Sequence, residues 1–419
     1  MWQNFSQGFV RLDQIRSSKC FQKAPRVSSE TDDKHQFRTS TRLLHAGYDP
    51  HVFHGFVNPP VVRASTVLFP DAATMRRRDH TYLYGLRGTP TTEALEAALD
   101  DLEGSAGTIL VPSGLAAISV PLLAFLGQGD HCLVIDSVYG PTRHFCDTML
   151  RRMGVEIEYF DPAIGAGLRD LMRKNTRVVF LEAPGSNTFE MIDIREMADI
   201  AREGGAVSMM DNTWATPLFL RPLDFGVDLS IHALTKYPGG HSDLMLGSVS
   251  ANAATYKRLR DAQMQIGVNA APDDAYLTLR GLRTMEVRLR AHERAALDLA
   301  QWLEARADVA RVLHPALPSF PGHDLWRRQF KGASGLFSIV LNGGGQREAE
   351  AFLDALRIFG LGYSWGGFES LALHVDLSDR LFAKGPSEGP VIRLQIGLED
   401  VEDLREDLAR GFAAVRALV

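Results

Sequence analysis

The chain has 419 residues, of which 45% are hydrophobic and 23% are charged, and its formal net charge is -6. This balance is typical of a globular protein of two or three domains, and it gives no general affinity for nucleic acid or for an anionic membrane surface. No apolar run reaches the roughly 18 residues that a membrane span needs. The three cysteines, Cys20, Cys132 and Cys146, show no CxxC spacing. We therefore expect free thiols in a reducing, cytoplasmic compartment.

Residues 1–36 differ in composition from the rest of the chain. Up to residue 29 they carry five basic side chains against one acid. We expect a disordered or non-native extension here, and an organelle transit peptide is the alternative that the composition leaves open. Residues 37–91 are rich in turn formers such as Asn58-Pro59-Pro60. They predict an extended N-terminal arm that contacts a neighbouring subunit.

From residue 92 the pattern alternates between short apolar runs and helical spacing. A helix is predicted from Thr92 to Glu103, and an apolar helix from Leu115 to Leu126. The apolar runs are predicted as strands at residues 108–111, 131–136, 155–160, 177–182, 206–211, 227–232 and 246–250. Buried strands separated by helices indicate an α/β fold with a mostly parallel, seven-stranded sheet. We assign residues 92–272 to this large domain.

A second, smaller domain is predicted at the C-terminal end of the chain. A charged helix over about residues 273–306 links the two domains. Strands at 335–341 and 390–396, with helices at 346–359 and 402–418, predict an α+β arrangement over the remainder of residues 273–419.

Lys236 is the first candidate for chemistry. Residues 230–243 form an apolar run that ends in this lysine and closes in glycines. Burial lowers the pKa of a lysine and makes its amine a nucleophile toward carbonyls, which is what a Schiff-base lysine requires. The alternative is a strand-end lysine that extends its ammonium group into water.

Asp211 and Tyr139 come after other predicted strands. Ligands of open α/β sheets bind beyond the carboxyl ends of the strands, and Asp211 precedes Lys236 by about one strand–helix–strand unit. A carboxylate there can keep a pyridine nitrogen protonated, although Asp also caps loops. We favour the functional interpretation of Asp211. Tyr139 could stack on a ring or pack on the core.

Ser113-Gly114 and Arg393 are candidates for binding anions. The Ser113-Gly114 turn lies between a strand and a helix, where free N–H groups attract phosphate, or where Ser113 simply caps the helix. Arg393 interrupts an apolar strand and could bind a carboxylate or form an internal salt bridge. Trp365 could pack in the core or line a pocket.

Three further polar residues are of types that can bind a metal. They are His232, His241 and Asp243, and because they lack a tight ligand spacing, we expect no metal site.

Together these stretches resemble the Cys/Met-metabolism family of pyridoxal-phosphate enzymes, from about residue 42 to the C-terminus. The resemblance lies in these motifs: Tyr84-Gly-Leu-Arg-Gly-Thr-Pro-Thr91, Pro112-Ser-Gly114, Asp211-Asn-Thr-Trp214, Thr235-Lys236, Gly240-His-Ser-Asp243 and Ser364-Trp-Gly-Gly-Phe-Glu-Ser370. It implies the fold of type I pyridoxal 5'-phosphate (PLP) enzymes, which is aspartate-aminotransferase-like, and a homotetramer built as a dimer of dimers.

The resemblance also implies a role for individual residues. Lys236 would be the Schiff-base lysine, Asp211 the partner of the pyridinium nitrogen, and Tyr139 a catalytic residue stacked on the ring. Contacts to the phosphate would come from Ser113, Gly114, Leu115, Thr235 and, in a neighbouring subunit, the catalytic Tyr84. The substrate would be held by Arg393, Ser364 and Trp365.

Two departures from the family pattern concern the phosphate. Many relatives have arginine at the position of Leu86, and we assign that role to the next residue, Arg87. Many relatives also have serine at the position of Ala233, so one phosphate hydroxyl is missing here.

The implied activity is an α,β-elimination that converts L-cystathionine into homocysteine, pyruvate and ammonia. Relatives that act at the γ-carbon usually have leucine at the position of Trp365. Three alternatives stay open: a γ-acting lyase, γ-synthase or homoserine sulfhydrylase; a broader carbon–sulfur lyase or cysteine desulfhydrase; and a non-catalytic protein that binds phosphometabolites. The last would need the Ser113-Gly114 turn, but not Lys236, Asp211 and Arg393 together.

Overall fold

The structure is a computed structural model that describes residues 37–418, so the predictions for residues 1–36 lie outside its described part. Two β-sheets form the framework, one of seven strands and one of five. The seven strands of the first sheet are β1 Gly107–Val111, β2 His131–Ile135, β3 Glu156–Phe160, β4 Thr176–Glu182, β5 Val207–Asp211, β6 Leu229–Ala233 and β7 Gly247–Ala251. The sequence predicts all seven. Six of them are nearly continuous runs of buried side chains, whereas β3 includes the exposed Glu156 and the half-buried Glu158.

The second sheet lies in the C-terminal part of the chain. Its strands are β8 Val309–Leu313, β9 Leu336–Leu341, β10 Gly360–Leu361, β11 Leu371–His374 and β12 Val391–Gln395. Neighbouring strands are antiparallel except for β10 and β11, which are parallel. The sequence predicts only β9 and β12 of this sheet.

Helices cover the two sheets and join their strands. They are α1 Thr39–His45, α2 Ala72–Arg77, α3 Pro90–Glu103, α4 Gly114–Phe125, α5 Gly140–Phe145, α6 Leu168–Leu171, α7 Ile194–Glu203, α8 Thr216–Phe219, α9 Tyr256–Ile266, α10 Pro272–Glu304, α11 His323–Gln329, α12 Gln346–Asp354 and α13 Val401–Arg416. Among residues 37–418, no helix is both long enough and apolar enough to cross a membrane.

The strand order of the first sheet is β1-β7-β6-β5-β4-β2-β3. For this order a ligand-binding crevice is expected beyond the carboxyl ends of the strands, the side of the sheet that we call the crevice edge. Strand β2 pairs in parallel with β3 on one side and with β4 on the other, so the chain reverses direction across the sheet at β2. Open α/β sheets bind ligands at such a reversal, beyond the carboxyl ends of the strands. Strand β7 is antiparallel to both β1 and β6, which leaves β1 and β6 with their carboxyl ends at the same edge.

Helix α10 is the longest element in the described part of the chain, with 33 residues, and it contributes to both hydrophobic cores. Its first half contributes Leu282 and Met285 to the core under the first sheet. Its second half contributes Leu299 and Leu303 to the core under the second sheet. The helix therefore connects the two cores physically, and we propose that the domain boundary lies at its start.

The structure corrects two predicted helix limits. Helix α3 begins at Pro90 rather than Thr92, because Thr89 caps it through a capping box and proline suits the first helical position. The helix predicted over 346–359 ends at Asp354. The buried carboxylate of Asp407 accepts the N–H groups of residues 357–359 at 2.7–3.1 Å, which takes those donors away from a continuing helix.

Candidate active site

Four strand ends meet at the crevice edge of the first sheet. Ser113-Gly114 and Tyr139 lie in the turns after β1 and β2, Asp211 is the last residue of β5, and Lys236 lies in the turn after β6. Asp211 pairs in register with Ile231 of β6, so the sheet itself fixes the spacing between the β5 end and the lysine turn. The strand ends thus bring together four groups that lie up to 123 positions apart in sequence.

Lys236 lies in a tight turn directly after β6. Its backbone N–H donates to Ala233 O at 3.1 Å, and Gly240 N–H donates back to Lys236 O at 2.7 Å. Its Nζ donates to Ser364 Oγ at 2.8 Å and lies 5.2 Å from the ring centroid of Trp365. Burial, helped by the nearby Arg393 charge, lowers the pKa of Lys236 to about 8 against the opposing effect of Asp211. The amine is therefore partly buried and loses its proton at a lower pH than the amine of an exposed lysine.

Asp211 stands at the end of β5, with one oxygen engaged. Its Oδ1 accepts the backbone N–H of Thr213 at 2.9 Å. Burial raises the pKa of this carboxyl group, while the bonds from Thr213 and the Lys236 charge act in the opposite direction. A cationic partner in the crevice would stabilise the carboxylate, as expected of a group that faces a ligand charge.

The start of helix α4 offers unpaired donors. Ser113 Oγ accepts from Ala116 N–H at 3.1 Å, and Ser113 O accepts from Ala117 N–H at 3.0 Å. Ser113 is therefore the helix cap, which is the alternative that the sequence left open for this residue. The N–H groups of Gly114 and Leu115 precede these bonds and have no acceptor in the described part of the chain. Free N–H groups at a helix N-terminus are donors of the kind that bind anions.

The α4 turn lies directly against the lysine turn. A Cβ on Gly114 would come within 2.6 Å of Ala233 Cβ, so only glycine permits this approach. The Thr235 hydroxyl is engaged in this region, because it donates to Leu246 O at 3.2 Å and accepts from Leu246 N–H at 3.0 Å. Thr235 thus ties the lysine turn to the residue before β7.

Arg393 projects from β12 at the far side of the crevice. Its guanidinium donates to Tyr363 O at 2.7 Å and to Asn187 Oδ1 at 3.3 Å. Within residues 37–418 it forms no salt bridge, so the internal ion pair considered from sequence is absent from the described chain. Burial lowers the pKa of Arg393 to about 10. A half-buried guanidinium with only neutral partners is suited to bind an incoming carboxylate.

The loop that carries Ser364 and Trp365 closes over the lysine turn. A Cβ on Gly366 would meet Lys236 Cβ at 3.0 Å, which shows how closely the loop packs. The Trp365 ring lies 5.6 Å from that of Tyr237, centroid to centroid, and is partly buried. Trp365 therefore lies beside the amine and also packs against the core.

Tyr84 and Arg87 are not brought into this cluster within one chain. Tyr84 is 51% exposed and precedes the one-turn helix Gly85–Arg87. The described contact of Arg87 is through its backbone carbonyl, which accepts from Arg260 Nη2 at 3.3 Å. Both side chains face outward from the arm.

Between residues 37 and 418, no three His, Cys, Asp or Glu side chains are grouped as a metal site would need. His232 is fully buried in β6, and burial lowers its pKa to about 3.

Residues 40–413 match the family described as Cys/Met metabolism PLP-dependent enzymes. The chain belongs to this family. Its fold is that of type I PLP-dependent enzymes, and its cofactor is pyridoxal 5'-phosphate. An enzyme family of this kind excludes the non-catalytic phosphometabolite-binding alternative.

The similar proteins include enzymes named for β-chemistry and an enzyme named for γ-chemistry. The chain is 66% identical over 383 residues to a Rhizobium johnstonii protein named "Putative cystathionine beta-lyase", which covers 90% of this chain and 97% of the relative. It is 43% identical over 391 residues to the Escherichia coli protein named cystathionine beta-lyase MetC, with coverages of 90% and 99%. The solved structure of cystathionine gamma synthase from Xanthomonas oryzae pv. oryzae matches with a TM-score of 0.85 and 35% identity, covering 91% of this chain and 100% of that one. The fold alone therefore does not separate β from γ chemistry.

The crevice residues fit PLP. The cofactor needs an amine for its aldehyde, an acceptor for its ring nitrogen and donors for its phosphate. Lys236, Asp211 and the free N–H groups of Gly114 and Leu115 provide these groups at one sheet edge. The ring of Tyr139, 41% exposed, lies at the same edge.

Two residues of the site were missed from sequence. Glu182 ends β4 in register with Asp211 and accepts Tyr139 N–H at 2.8 Å through its Oε2. Burial, together with the Asp211 charge, raises the pKa of Glu182 well above its usual value. Asn187 supplies the amide that contacts Arg393. A rule that considers every acid at a strand end would have found Glu182, but nothing local points to Asn187.

Proposed function

We propose that this enzyme is a carbon–sulfur lyase that cleaves L-cystathionine by α,β-elimination into homocysteine, pyruvate and ammonia. The observation that carries the proposal is the half-buried Lys236 amine, held by Ser364 beside Trp365. Across the crevice lies the Arg393 guanidinium, which has no ion-pair partner among residues 37–418. The match to relatives named cystathionine beta-lyase over nearly their whole length supports it.

Each cofactor contact is assigned to one group of the crevice. Lys236 Nζ would hold PLP covalently, Asp211 would accept a hydrogen bond from its ring nitrogen, and Tyr139 would stack on the ring. The N–H groups of Gly114 and Leu115 would bind the phosphate. Ser113 supports the phosphate through its cap of α4, and Thr235 through its bonds to Leu246.

Lys236 is also the proton carrier of the reaction. When bound, PLP supplies an electron sink that stabilises negative charge at the substrate Cα. The Lys236 amine would remove the proton from the substrate Cα as general base and deliver it to the departing sulfur. A pKa of about 8 suits both roles near neutral pH. Water then converts the remaining three-carbon fragment into pyruvate and ammonia.

The substrate is oriented by the C-terminal part of the chain. Arg393 binds the α-carboxylate bidentately, which aims the Cα–H bond at Lys236. Ser364 Oγ directs the lysine Nζ, at 2.8 Å. Trp365 covers the lysine on one side and excludes water from it.

The test is turnover of L-cystathionine by the purified yellow protein, with identification of both products. Homocysteine plus pyruvate supports the proposal. Cysteine plus 2-oxobutyrate would replace it with γ-lyase chemistry, and faster release of sulfide from cysteine than of homocysteine from cystathionine would indicate a desulfhydrase.

We also propose that the enzyme is a cytoplasmic homotetramer in which Tyr84 and Arg87 reach the phosphate of a neighbouring subunit. Large apolar side chains of the arm are exposed in the single chain, including Phe56, Val57 and Leu68. Helix α2 buries no residue at all. Exposed apolar surface of this kind is typical of subunit contacts. Light scattering on the intact protein tests this, and a monomeric active enzyme would contradict it.

A further inference from the structure

Asn187 lies in the segment after β4 and contacts Arg393 from outside the C-terminal sheet. Its side-chain Oδ1 accepts from Arg393 Nη1 at 3.3 Å, and its backbone O accepts from Ser338 Oγ at 2.7 Å. Ser338 is the register partner of Arg393 on β9. Asn187 has a positive φ of 66°, a conformation that asparagine tolerates better than most residues. The orientation of the Asn187 side-chain amide therefore depends on the conformation of the backbone on either side of it.

Arg380 holds that backbone on both sides of Asn187. It lies in the loop between β11 and β12, and its side chain is only 3% exposed. Its Nη2 donates to Ser186 O, and its Nη1 donates to Thr188 Oγ1 at 2.5 Å. Glu190 lies 3.8 Å from Nη1 and balances the charge. One guanidinium thus bridges the two neighbours of Asn187.

The loop that carries Arg380 is itself fixed to the large domain. Asp136, directly after β2, accepts the N–H groups of Phe382 at 2.7 Å and Ala383 at 2.8 Å. It also accepts the N–H of Leu381 at 3.0 Å, and Arg143 donates to its other oxygen. These hydrogen bonds fix the backbone next to Arg380, and this in turn fixes the position of its guanidinium.

We propose that Arg380 is a positioning residue for the substrate-carboxylate site: it holds the backbone around Asn187, and Asn187 in turn orients the guanidinium of Arg393. The proposal rests on the assignment of Arg393 as the carboxylate ligand. A purely structural role, in which Arg380 only joins the two parts of the molecule, would affect stability without a preference for ligands that carry a carboxylate.

The test compares two probes on the holoenzyme, glycine and methylamine. Both have an amine that can react with the cofactor, but only glycine has a carboxylate. Spectral titration gives the affinity of each. In Arg380→Lys, which keeps the charge but not the two-pronged contact, we expect glycine affinity to fall about tenfold and methylamine affinity to stay unchanged. For cystathionine, KM should rise by a similar factor while kcat changes little.

Matched variants separate the possible outcomes. Arg311→Ala removes the exposed ion pair to Glu388, which tethers the same loop elsewhere, and it should leave both affinities unchanged. Thr188→Val removes one contact of Arg380 and retains the arginine, so it should lower the affinity for glycine but not for methylamine. This variant keeps the test valid if changes at residue 380 itself prevent folding. Arg393→Lys tests the underlying assignment, because unchanged glycine affinity there would refute the carboxylate site itself. Wild-type glycine affinity in Arg380→Lys and Thr188→Val, or equal weakening of both probes, would overturn the proposal for Arg380.

Discussion

The lysine turn and the N-terminal arm are built in opposite ways. Lys236 and Asp211 stand at the ends of buried strands, and strand register sets their spacing. Tyr84 and Arg87 lie in an arm whose helices α1 and α2 together bury one residue, Leu43. A single chain therefore brings together the residues to which we assign the chemistry. We infer that the part that closes around the phosphate depends on a second subunit.

Removing the amine should give the largest effect at the lysine turn. In Lys236→Ala we expect turnover to fall by at least about 10³-fold, because the general base and the covalent attachment of PLP are both lost. The visible absorbance of the covalently bound cofactor should disappear as well. Lys257→Ala, at an exposed lysine on α9, serves as the control. Full activity in Lys236→Ala would refute the assigned mechanism.

Neutralising the acid at the β5 end should be the next largest effect. Asp211→Asn keeps the shape but removes the charge that faces the ring nitrogen, and we expect kcat to fall by about 10²- to 10³-fold. Asp224→Asn, at an exposed acid of a surface ion pair, is the matched control. Steady-state kinetics with saturating cofactor measure the change. Near-normal kcat would show that the ring nitrogen has another partner.

The arm can be tested by mixing two defective proteins. The double variant Tyr84→Phe/Arg87→Ala should lose most activity, and so should Lys236→Ala. If the arm serves a neighbouring site, unfolding and refolding an equal mixture should restore about a quarter of wild-type activity, because random pairing rebuilds one intact site in half of the dimers. Refolding each variant alone is the control. No recovery in the mixture would place Tyr84 and Arg87 outside the neighbour's site.

The same contrast explains what could be predicted from sequence. Lys236 and Asp211 could be predicted from the local sequence pattern. An apolar run that ends in a charged residue indicates the end of a strand, and the carboxyl ends of parallel strands lie at the same edge of the sheet. The seven strands of the first sheet are predicted by the same signal. The sequence could not decide between the alternatives for Ser113 and Arg393. A helix cap and an ion pair are recognised only from the distances between donor and acceptor atoms.

The missed features depend on contacts between distant parts of the chain. Asn187 touches Arg393, 206 positions away, and Arg380 reaches Ser186 across 194 positions. The carboxylate of Asp407 ends helix α12 from 48 or more positions away. No local periodicity records such contacts, because each partner considered alone resembles an ordinary loop or surface residue.

The burial of Lys236 should also appear in the pH dependence of stability. Its pKa is about 8 in the folded chain against an ordinary 10.5. Between these values the unfolded chain binds the proton and the folded chain does not, so the free energy of unfolding gains a contribution that rises with pH. Denaturation of the cofactor-free protein should show this rise relative to Lys236→Met. Lys257→Met should show the wild-type dependence, and parallel curves for wild type and Lys236→Met would indicate an unburied amine.

The smallest effect is expected where the lysine turn meets the phosphate turn. Ala233 faces Gly114 so closely that a side chain at 233 lies beside the free N–H groups of α4, and the Thr235 hydroxyl is already bonded to Leu246. Ala233→Ser adds a hydroxyl that can donate to the phosphate, so PLP affinity should increase by up to about tenfold, as measured by titration of the apoenzyme. Ala233→Cys has nearly the same shape but is a weak donor, so its affinity should stay near that of wild type. If Ala233→Ser lowers the affinity for PLP instead, the two turns lie too close together for a hydroxyl at residue 233. Alanine at this position would then be explained by packing and not by the loss of a phosphate contact.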